Sequence, residues 1–104
     1  MLPTGLVIET PPDHMLAIFP RSSTYKKYGL RIGNTVGIVD EDYCGPNDEI
    51  LLFLWNPGSS PVTVEAGTRL AQGIFIPVTK PTFSEIEPSQ LGRPSRGGWG
   101  STGT

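Results

Sequence analysis

The sequence is poor in the residues that would indicate a disulfide-bonded, metal-binding or membrane protein. It contains one cysteine and one histidine among 104 residues, and no apolar run approaches the ~20 residues of a membrane span. Because Cys44 has no second cysteine to pair with, a reducing cytosol is the expected compartment. The first residues also lack the basic start and apolar stretch of a signal peptide. We therefore expect a cytoplasmic protein that makes no membrane contact.

Charge is scarce as well. Charged residues make up 17% of the chain and the net charge is -2, which gives no basic footprint for nucleic acid. Gly (13) and Pro (11) are abundant, and this abundance disfavours long helices. A chain of this size buries only about 65% of its extended surface. The composition predicts one small, turn-rich, all-β domain that binds no nucleic acid.

The apolar stretches are short and bounded by turn residues, which predicts roughly seven strands, enough for a sandwich, barrel or jelly roll. The first two stretches, Leu6–Ile8 and Met15–Phe19, predict a hairpin. The stretch Ile50–Trp55 is apolar throughout, which predicts a strand buried on both faces. Between them, Ser22–Tyr28 predicts one short helical turn at most, and the Gly33-Asn34 dipeptide predicts a tight reversal with positive φ.

The composition changes after Val78. Apolar residues become rare between residues 79 and 104, and the chain ends RPSRGGWGSTGT. We therefore predict a β core over residues 1–78 and an extended C-terminal arm over residues 79–104. A frayed terminus is the ordinary interpretation, because such a segment cannot offset its ordering entropy by its own burial. Trp99 favours the alternative of an arm that orders over a ligand or a neighbouring subunit.

Two polar groups are candidates for chemistry. Five acids lie between residues 40 and 49, which ordinarily indicates a solvated turn. Asp40, however, follows a predicted strand directly, where a fixed carboxylate could orient and deprotonate a water or help to bind a hard cation such as Mg²⁺. Arg21 with the adjacent Ser22 and Ser23 offers a guanidinium and hydroxyls to phosphate, although a surface charge run explains the same residues.

Four segments in a fixed order resemble the dUTPase family, the deoxyuridine triphosphate nucleotidohydrolases. They read PRSSTYKKYGL, GNTVGIVDEDYCG, GTRLAQGIF and RGGWGSTG, and the early LPTGL fits the strand that leads into the first. The resemblance runs from about Leu2 to the C-terminus. It implies an all-β distorted jelly roll of the β-clip type with an extended C-terminal arm. It also implies a homotrimer with active sites shared between chains, and hydrolysis of dUTP to dUMP and pyrophosphate with Mg²⁺ held by the triphosphate.

The resemblance also implies residue roles. Asp40 is expected to hold and activate the attacking water, and Tyr43 to lie under the deoxyribose. Asn34 and the backbone from Gly33 to Gly37 are expected to read the uracil edge. Trp99 stands where the family usually has Phe, and it would stack on the base. The remaining substrate contacts implied by the motifs, mostly to phosphate, are Arg21, Ser22, Ser23, Gln72, Arg96, Gly100, Ser101 and Thr102.

The sequence departs from the family at its start. The first motif, an Ala-Gly-Tyr-Asp-Leu-like strand, is missing. A late or mis-called start and a naturally short chain both explain this, and the entry of LPTGL in mid-fold favours the first. Ser23 replaces the usual Gly, and Thr68 stands where Asp is common. Two alternative functions therefore stay open. One is a non-catalytic dUTP-binding trimer, and the other is a dCTP deaminase, for which Glu49 is the only candidate proton shuttle.

Overall fold

A computed structural model describes residues 1–99 of the chain. In that range the structure contains seven strands, one α-helix and one 3₁₀ turn. In chain order they are β1 (Leu2–Pro3), β2 (His14–Pro20), α1 (Ser22–Tyr28), β3 (Arg31–Ile32), β4 (Gly37–Val39), β5 (Leu51–Leu52), β6 (Leu54–Trp55), β7 (Ala71–Pro77) and the 3₁₀ turn Pro88–Gln90.

The largest sheet has three antiparallel strands in the order β4-β2-β7. Ala17 in the central strand pairs with Ile38 on one side and Ile74 on the other, and its side chain is fully buried. The predicted hairpin between Leu6–Ile8 and β2 is wrong, because Leu6–Ile8 forms no strand and β2 pairs with β4 and β7. Strand β4 therefore lies directly beside the central strand β2, which carries the buried Leu16 and Ala17.

Two smaller sheets pair β1 with β5 and β3 with β6. Beyond β1 the backbone stays close to β5, since the Ile50 N–H donates to the Leu6 carbonyl at 2.8 Å. The prediction that Ile50–Trp55 is buried on both faces is wrong. Ile50 is 5% exposed, whereas Leu51, Phe53 and Trp55 are 45%, 49% and 54% exposed. This segment therefore turns every second apolar side chain towards solvent in the single chain.

The hydrophobic core is small. Its buried apolar side chains are Leu16, Ala17, Leu30, Ile32, Ile50 and Leu70. Full burial of one such leucine or isoleucine contributes roughly 1.5–3 kcal/mol relative to an exposed side chain. A buried hydroxyl joins the core to the helix, because Thr24 accepts from the Arg21 N–H at 3.1 Å and donates to the Leu70 carbonyl at 2.7 Å. These two bonds fix the start of α1 beside the start of β7.

Helix α1 is longer than the single turn predicted from the sequence. It spans seven residues, ends at Tyr28 and is capped by Gly29, which adopts φ 68° and donates its N–H to the Tyr25 carbonyl at 2.7 Å. The guanidinium of Arg31 lies 4.6 Å from the centre of the Tyr25 ring, a distance typical of cation–π contacts. Within residues 1–99, no helix is long and apolar enough to cross a membrane.

Residues 79–99 form no strand, and their regular structure is the 3₁₀ turn. Phe83 is 90% exposed, as expected of a segment that has no core of its own. The change in composition after Val78 coincides with the end of β7 at Pro77. The division into a core and an arm stays a prediction.

Candidate functional site

A cavity of about 420 Å³ lies between β4, the loop after it and the segment β5–β6. This volume is in the range of small-ligand sites. Four residues predicted from the segment GNTVGIVDEDYCG line it together: Asn34, Gly37, Asp40 and Tyr43. Its apolar lining comes largely from Ile18, Ile32, Leu52 and Phe53. The predicted uracil and sugar residues thus share one cavity with apolar side chains of the core and of the strands.

The reversal between β3 and β4 builds one rim of the cavity. Thr35 donates its N–H to the Ile32 carbonyl at 3.1 Å and adopts φ 69°. The positive φ predicted at the Gly33-Asn34 dipeptide therefore falls at Thr35 instead. Gly33 is required for a different reason, since a Cβ there would overlap the ring of Phe53. The glycine permits close approach of the ring and does not supply a left-handed conformation.

Asp40 follows β4 directly and is exposed at the cavity. Its backbone is held on both sides, because Val39 pairs with Leu16 in the sheet and the Tyr43 N–H donates to the Asp40 carbonyl at 3.1 Å. Within residues 1–99, the Asp40 carboxylate makes no hydrogen bond or ion pair. A carboxylate on a fixed backbone with unoccupied oxygens can accept a proton from a bound water.

Tyr43 lies across the same loop and is 40% exposed. Its hydroxyl donates to the Glu49 carbonyl at 2.8 Å, so the far end of the ring is tethered to the start of β5. The carboxylate of Glu49 accepts from the Gly5 N–H at 2.8 Å. Glu49 therefore joins the Tyr43 ring to the start of β5 through its carbonyl and the N-terminal segment to the same point through its carboxylate.

Other acids of the 40–49 stretch have structural partners. Asp48 accepts from the Gly45 N–H at 2.9 Å, and the Gly45 carbonyl accepts from the Asp48 N–H at 3.0 Å. Glu41 forms an ion pair with Lys80 and accepts from the Asp13 N–H at 2.7 Å. Lys80 lowers the pKa of Glu41, and the Asp13 bond lowers it further. These acids stabilise the loop, and of the two acids Asp40 and Asp42 only Asp40 lines the cavity, which makes Asp40 the better candidate for chemistry.

Arg21 and Gln72, the predicted phosphate residues from the segments PRSSTYKKYGL and GTRLAQGIF, lie together at a second cavity. Gln72 donates to the Pro20 carbonyl at 3.0 Å, and Arg21 donates to the Arg69 carbonyl at 3.2 Å. Arg21 and Gln72 line this second cavity, whose volume is about 570 Å³ and which Asp40 does not line. Ser22 and Ser23 begin α1 beside Arg21. The two cavities share Ile18, Ile50 and Leu52 in their linings, but Arg21 and Gln72 do not line the one that Asp40 lines.

Some of the residues predicted to contact substrate from the C-terminal tail lie within the described residues, and others lie outside them. Arg96 and Trp99 are exposed and line neither cavity. Gly100, Ser101 and Thr102 lie outside the described residues.

Sequence reasoning missed three residues that shape the site. The apolar pattern predicts Phe53 in a buried strand, but its ring lies against Gly33 in the cavity wall. Glu41 looks like one of several solvated acids, and nothing in the sequence singles out Lys80. No local signal links Glu41 to Lys80, because 39 positions separate them.

The fold and the first cavity together define a β-rich protein with a small-ligand site at the end of a sheet strand. Comparison with known proteins makes the class specific, since the family model described as dUTPase matches residues 1–103. The chain belongs to the dUTPase family. This confirms the resemblance seen in the motifs and the hydrolase class that it implied.

Relatives support the same assignment. The deoxyuridine 5'-triphosphate nucleotidohydrolase of Shewanella pealeana is 39% identical over 105 residues, covering 100% of this chain and 67% of the relative. The protein of the same name from Haemophilus influenzae is 38% identical over 104 residues, covering 99% and 67%. The chain thus spans about two thirds of the length of these relatives.

A solved dUTPase from Streptococcus mutans has the same fold. It matches with a TM-score of 0.72 and 36% identity, covering 78% of this chain and 66% of that one. The match confirms the predicted all-β jelly roll of the dUTPase type.

Proposed function

We propose that this chain is a dUTP diphosphatase that hydrolyses dUTP to dUMP and pyrophosphate, with Asp40 activating the attacking water. The observation that carries the proposal is the joint lining of one cavity by Asn34, Gly37, Asp40 and Tyr43. Family membership supports the reaction class. The relatives are named as deoxyuridine 5'-triphosphate nucleotidohydrolases, which supports dUTP as the substrate.

The reaction requires a water, a base and a leaving group. The water oxygen attacks the α-phosphorus of the triphosphate, Asp40 accepts a proton of the water, and the bond from the α-phosphorus to the oxygen that bridges it to the β-phosphorus breaks. Pyrophosphate leaves with that bonding electron pair. Asp40 suits the role because its backbone is fixed by β4 and by the Tyr43 N–H. A correctly positioned general base contributes about 10²–10⁴-fold to such a step.

The residues that would recognise the base and the sugar line the same cavity as Asp40. Asn34 and the main chain up to Gly37 present amide donors and acceptors to a uracil edge, and a base with the opposite pattern would leave buried polar groups unpaired. The Tyr43 ring, tethered by its hydroxyl to the Glu49 carbonyl, would lie under the deoxyribose. A ring fixed there leaves no room for a 2′-hydroxyl, which would disfavour UTP.

We infer that the complete site is shared between the chains of a homotrimer. Two observations support this. Arg21 and Gln72 do not line the cavity of Asp40, although the two cavities share Ile18, Ile50 and Leu52, so phosphate contacts to Asp40 would come from a neighbouring chain. The exposed apolar side chains of Leu51, Phe53 and Trp55 are also what an interface between chains leaves exposed in one chain. The arm over residues 79–104 would then cover a neighbour's site with Arg96, Trp99, Gly100, Ser101 and Thr102.

The metal would enter as part of the substrate. Mg²⁺ prefers oxygen ligands and is commonly bound through substrate phosphates. The described residues contain no group of three or more His, Cys, Asp or Glu that could hold an ion. Glu41 and Glu49 are engaged with Lys80 and Gly5, and a metal bound by the triphosphate would not require them as ligands. Such an ion would neutralise phosphate charge, while the residues of the chain orient the base and the water.

The test is pyrophosphate release from dUTP with Mg²⁺, run beside UTP, dCTP and dTTP. We expect turnover of dUTP alone and loss of turnover in Asp40→Asn, which keeps the shape but removes the base. Asp42→Asn is the matched control, because Asp42 lies in the same loop and does not line the cavity. Protection by dUTP against heat without any pyrophosphate release would identify a non-catalytic binding protein and refute the proposal.

The deaminase alternative receives less support from the site. Its only candidate carboxylate, Glu49, accepts from the Gly5 N–H and is thereby held against the N-terminal segment. Ammonia release from dCTP in the same assay would favour deamination over hydrolysis.

A further inference from the structure

The loop that carries Asp40 is joined to the exit of β7 by a cluster of three charged side chains. Glu41 forms an ion pair with Lys80, and Lys80 also lies 3.7 Å from the carboxylate of Asp13. The second carboxylate oxygen of Glu41 accepts from the Asp13 N–H at 2.7 Å. Three segments that are distant in sequence therefore meet next to Asp40.

The backbone around the cluster is also tied. The Asp13 carbonyl accepts from the Val78 N–H at 2.9 Å, and Asp13 adopts φ 60°. A positive φ is uncommon for a residue other than glycine, although Asp adopts it more readily than most. Glu41 and Val78 occupy both backbone groups of Asp13, so the conformation of this residue is fixed from two sides.

We propose that Lys80 is a positioning residue for the reaction at Asp40. Its ion pair with Glu41 joins the point where the C-terminal segment leaves the sheet to the loop that holds the water-activating carboxylate. This inference rests on the proposed dUTP hydrolysis. It concerns a residue outside the cavity lining, since Lys80 lines neither cavity.

The alternative is an ion pair on the surface with no role. Isolated exposed pairs contribute little to stability, and the side chain of Lys80 is 55% exposed. The two carboxylate oxygens of Glu41, however, contact two different segments of the chain. Glu41 also directly follows Asp40 in the sequence, and the proposed chemistry depends on the position of Asp40. Small displacements of a catalytic group can cost far more in rate than in stability. The proposal therefore predicts an effect on turnover that exceeds the effect on unfolding.

The experiment compares Lys80→Met with Lys80→Arg in the full chain, with Lys26→Met in α1 as the matched control. For Lys80→Met we expect kcat for dUTP to fall roughly tenfold, with KM and the binding of α,β-imido-dUTP nearly unchanged. Lys80→Arg should restore most of the lost rate, since it keeps the charge. A lower Tm with an unchanged kcat would refute the proposal, because that is the signature of a purely structural pair.

A second readout does not depend on activity. Amide hydrogen exchange at Tyr43 and Asp13, whose N–H groups bond within the loop and the cluster, should become faster in Lys80→Met and not in Lys26→Met. Unchanged exchange at both amides would refute the proposal that Lys80 positions the Asp40 loop, even if kcat falls. If the unaltered chain releases no pyrophosphate from dUTP, the proposed function fails by itself. Exchange then decides whether Lys80 holds the loop.

Discussion

The hydroxyl of Tyr43 donates a 2.8 Å hydrogen bond to the carbonyl of Glu49, six residues further along the chain. The bond closes the loop after β4 on itself and fixes the ring at the wall of the cavity that Asp40 lines. A tethered ring excludes a substituent better than a mobile one, because the ring cannot move aside without breaking the bond. In the proposed site, discrimination between deoxyribose and ribose should therefore depend on the Tyr43 hydroxyl, which is bonded to the Glu49 carbonyl.

Replacing Tyr43 by Phe tests this dependence. Loss of one neutral hydrogen bond costs about 0.5–1.5 kcal/mol, so we expect the preference for dUTP over UTP in kcat/KM to fall by about 2–12-fold. Tyr25→Phe is the matched control, because the Tyr25 ring stacks with Arg31 on the outside of α1. An unchanged preference in Tyr43→Phe would mean that packing alone holds the ring.

The contact between Gly33 and Phe53 yields a second prediction. A methyl group at Gly33 would overlap the Phe53 ring, and overpacking of this kind costs about 1–3 kcal/mol. We expect Gly33→Ala to weaken dUTP binding, measured by calorimetry, because the ring or the adjoining turn must shift. Adding Phe53→Ala should recover part of the loss. Gly92→Ala is the control, since a methyl group there would meet nothing within 4 Å. If Gly92→Ala lost as much affinity for dUTP as Gly33→Ala, the explanation by overlap with Phe53 would be wrong.

The sequence indicated which neighbouring residues come together in the candidate site, while their roles in binding and catalysis stay predictions. Asn34, Gly37, Asp40 and Tyr43 lie within ten positions, so a strand and its flanking turns bring them to one cavity. The partner of Leu6 was not predictable in the same way. An apolar stretch indicates a strand but not which strand it pairs with, and here the Leu6 carbonyl bonds to Ile50 instead of joining β2.

The burial of β5 and β6 shows a second limit. Apolar residues at every position predict burial on both faces, but the sequence does not say which molecule covers each face. In the single chain Phe53 and Trp55 are 49% and 54% exposed. The ion pair of Glu41 with Lys80 could not be predicted from the sequence either, because charge complementarity between exposed residues leaves no periodic pattern in the sequence.

Thr24 should contribute to stability out of proportion to its size. It is 1% exposed, and its hydroxyl both accepts from the Arg21 N–H and donates to the Leu70 carbonyl. Thr24→Val keeps the shape but leaves a donor and an acceptor unpaired, which costs about 1–3 kcal/mol. We expect a lower urea midpoint at a fixed protein concentration. Thr24→Ser keeps the hydroxyl, so a midpoint as low as that of Thr24→Val would assign the loss to packing.

The ion pair of Glu41 and Lys80 should give stability a defined pH window. Lys80 lowers the pKa of Glu41 below its ordinary 4.5, so this contribution is present above pH 4.5 and is lost as the pH falls through the lowered value. Glu41 raises the pKa of Lys80 above its ordinary 10.5, so that contribution is present below pH 10.5 and is lost as the pH rises through the raised value.

Both contributions are complete between these limits. The difference in Tm between the unaltered chain and Lys80→Met should therefore be constant from about pH 5.5 to pH 9 and shrink towards about pH 3. Added salt should reduce the difference at neutral pH, because exposed pairs are screened. Lys26→Met removes the same charge from α1, and its difference in Tm from the unaltered chain should not shrink in this way at acid pH. A difference in Tm for Lys80→Met that persists unchanged at pH 3 would attribute the stabilisation to the aliphatic stem of Lys80 and not to its ion pair.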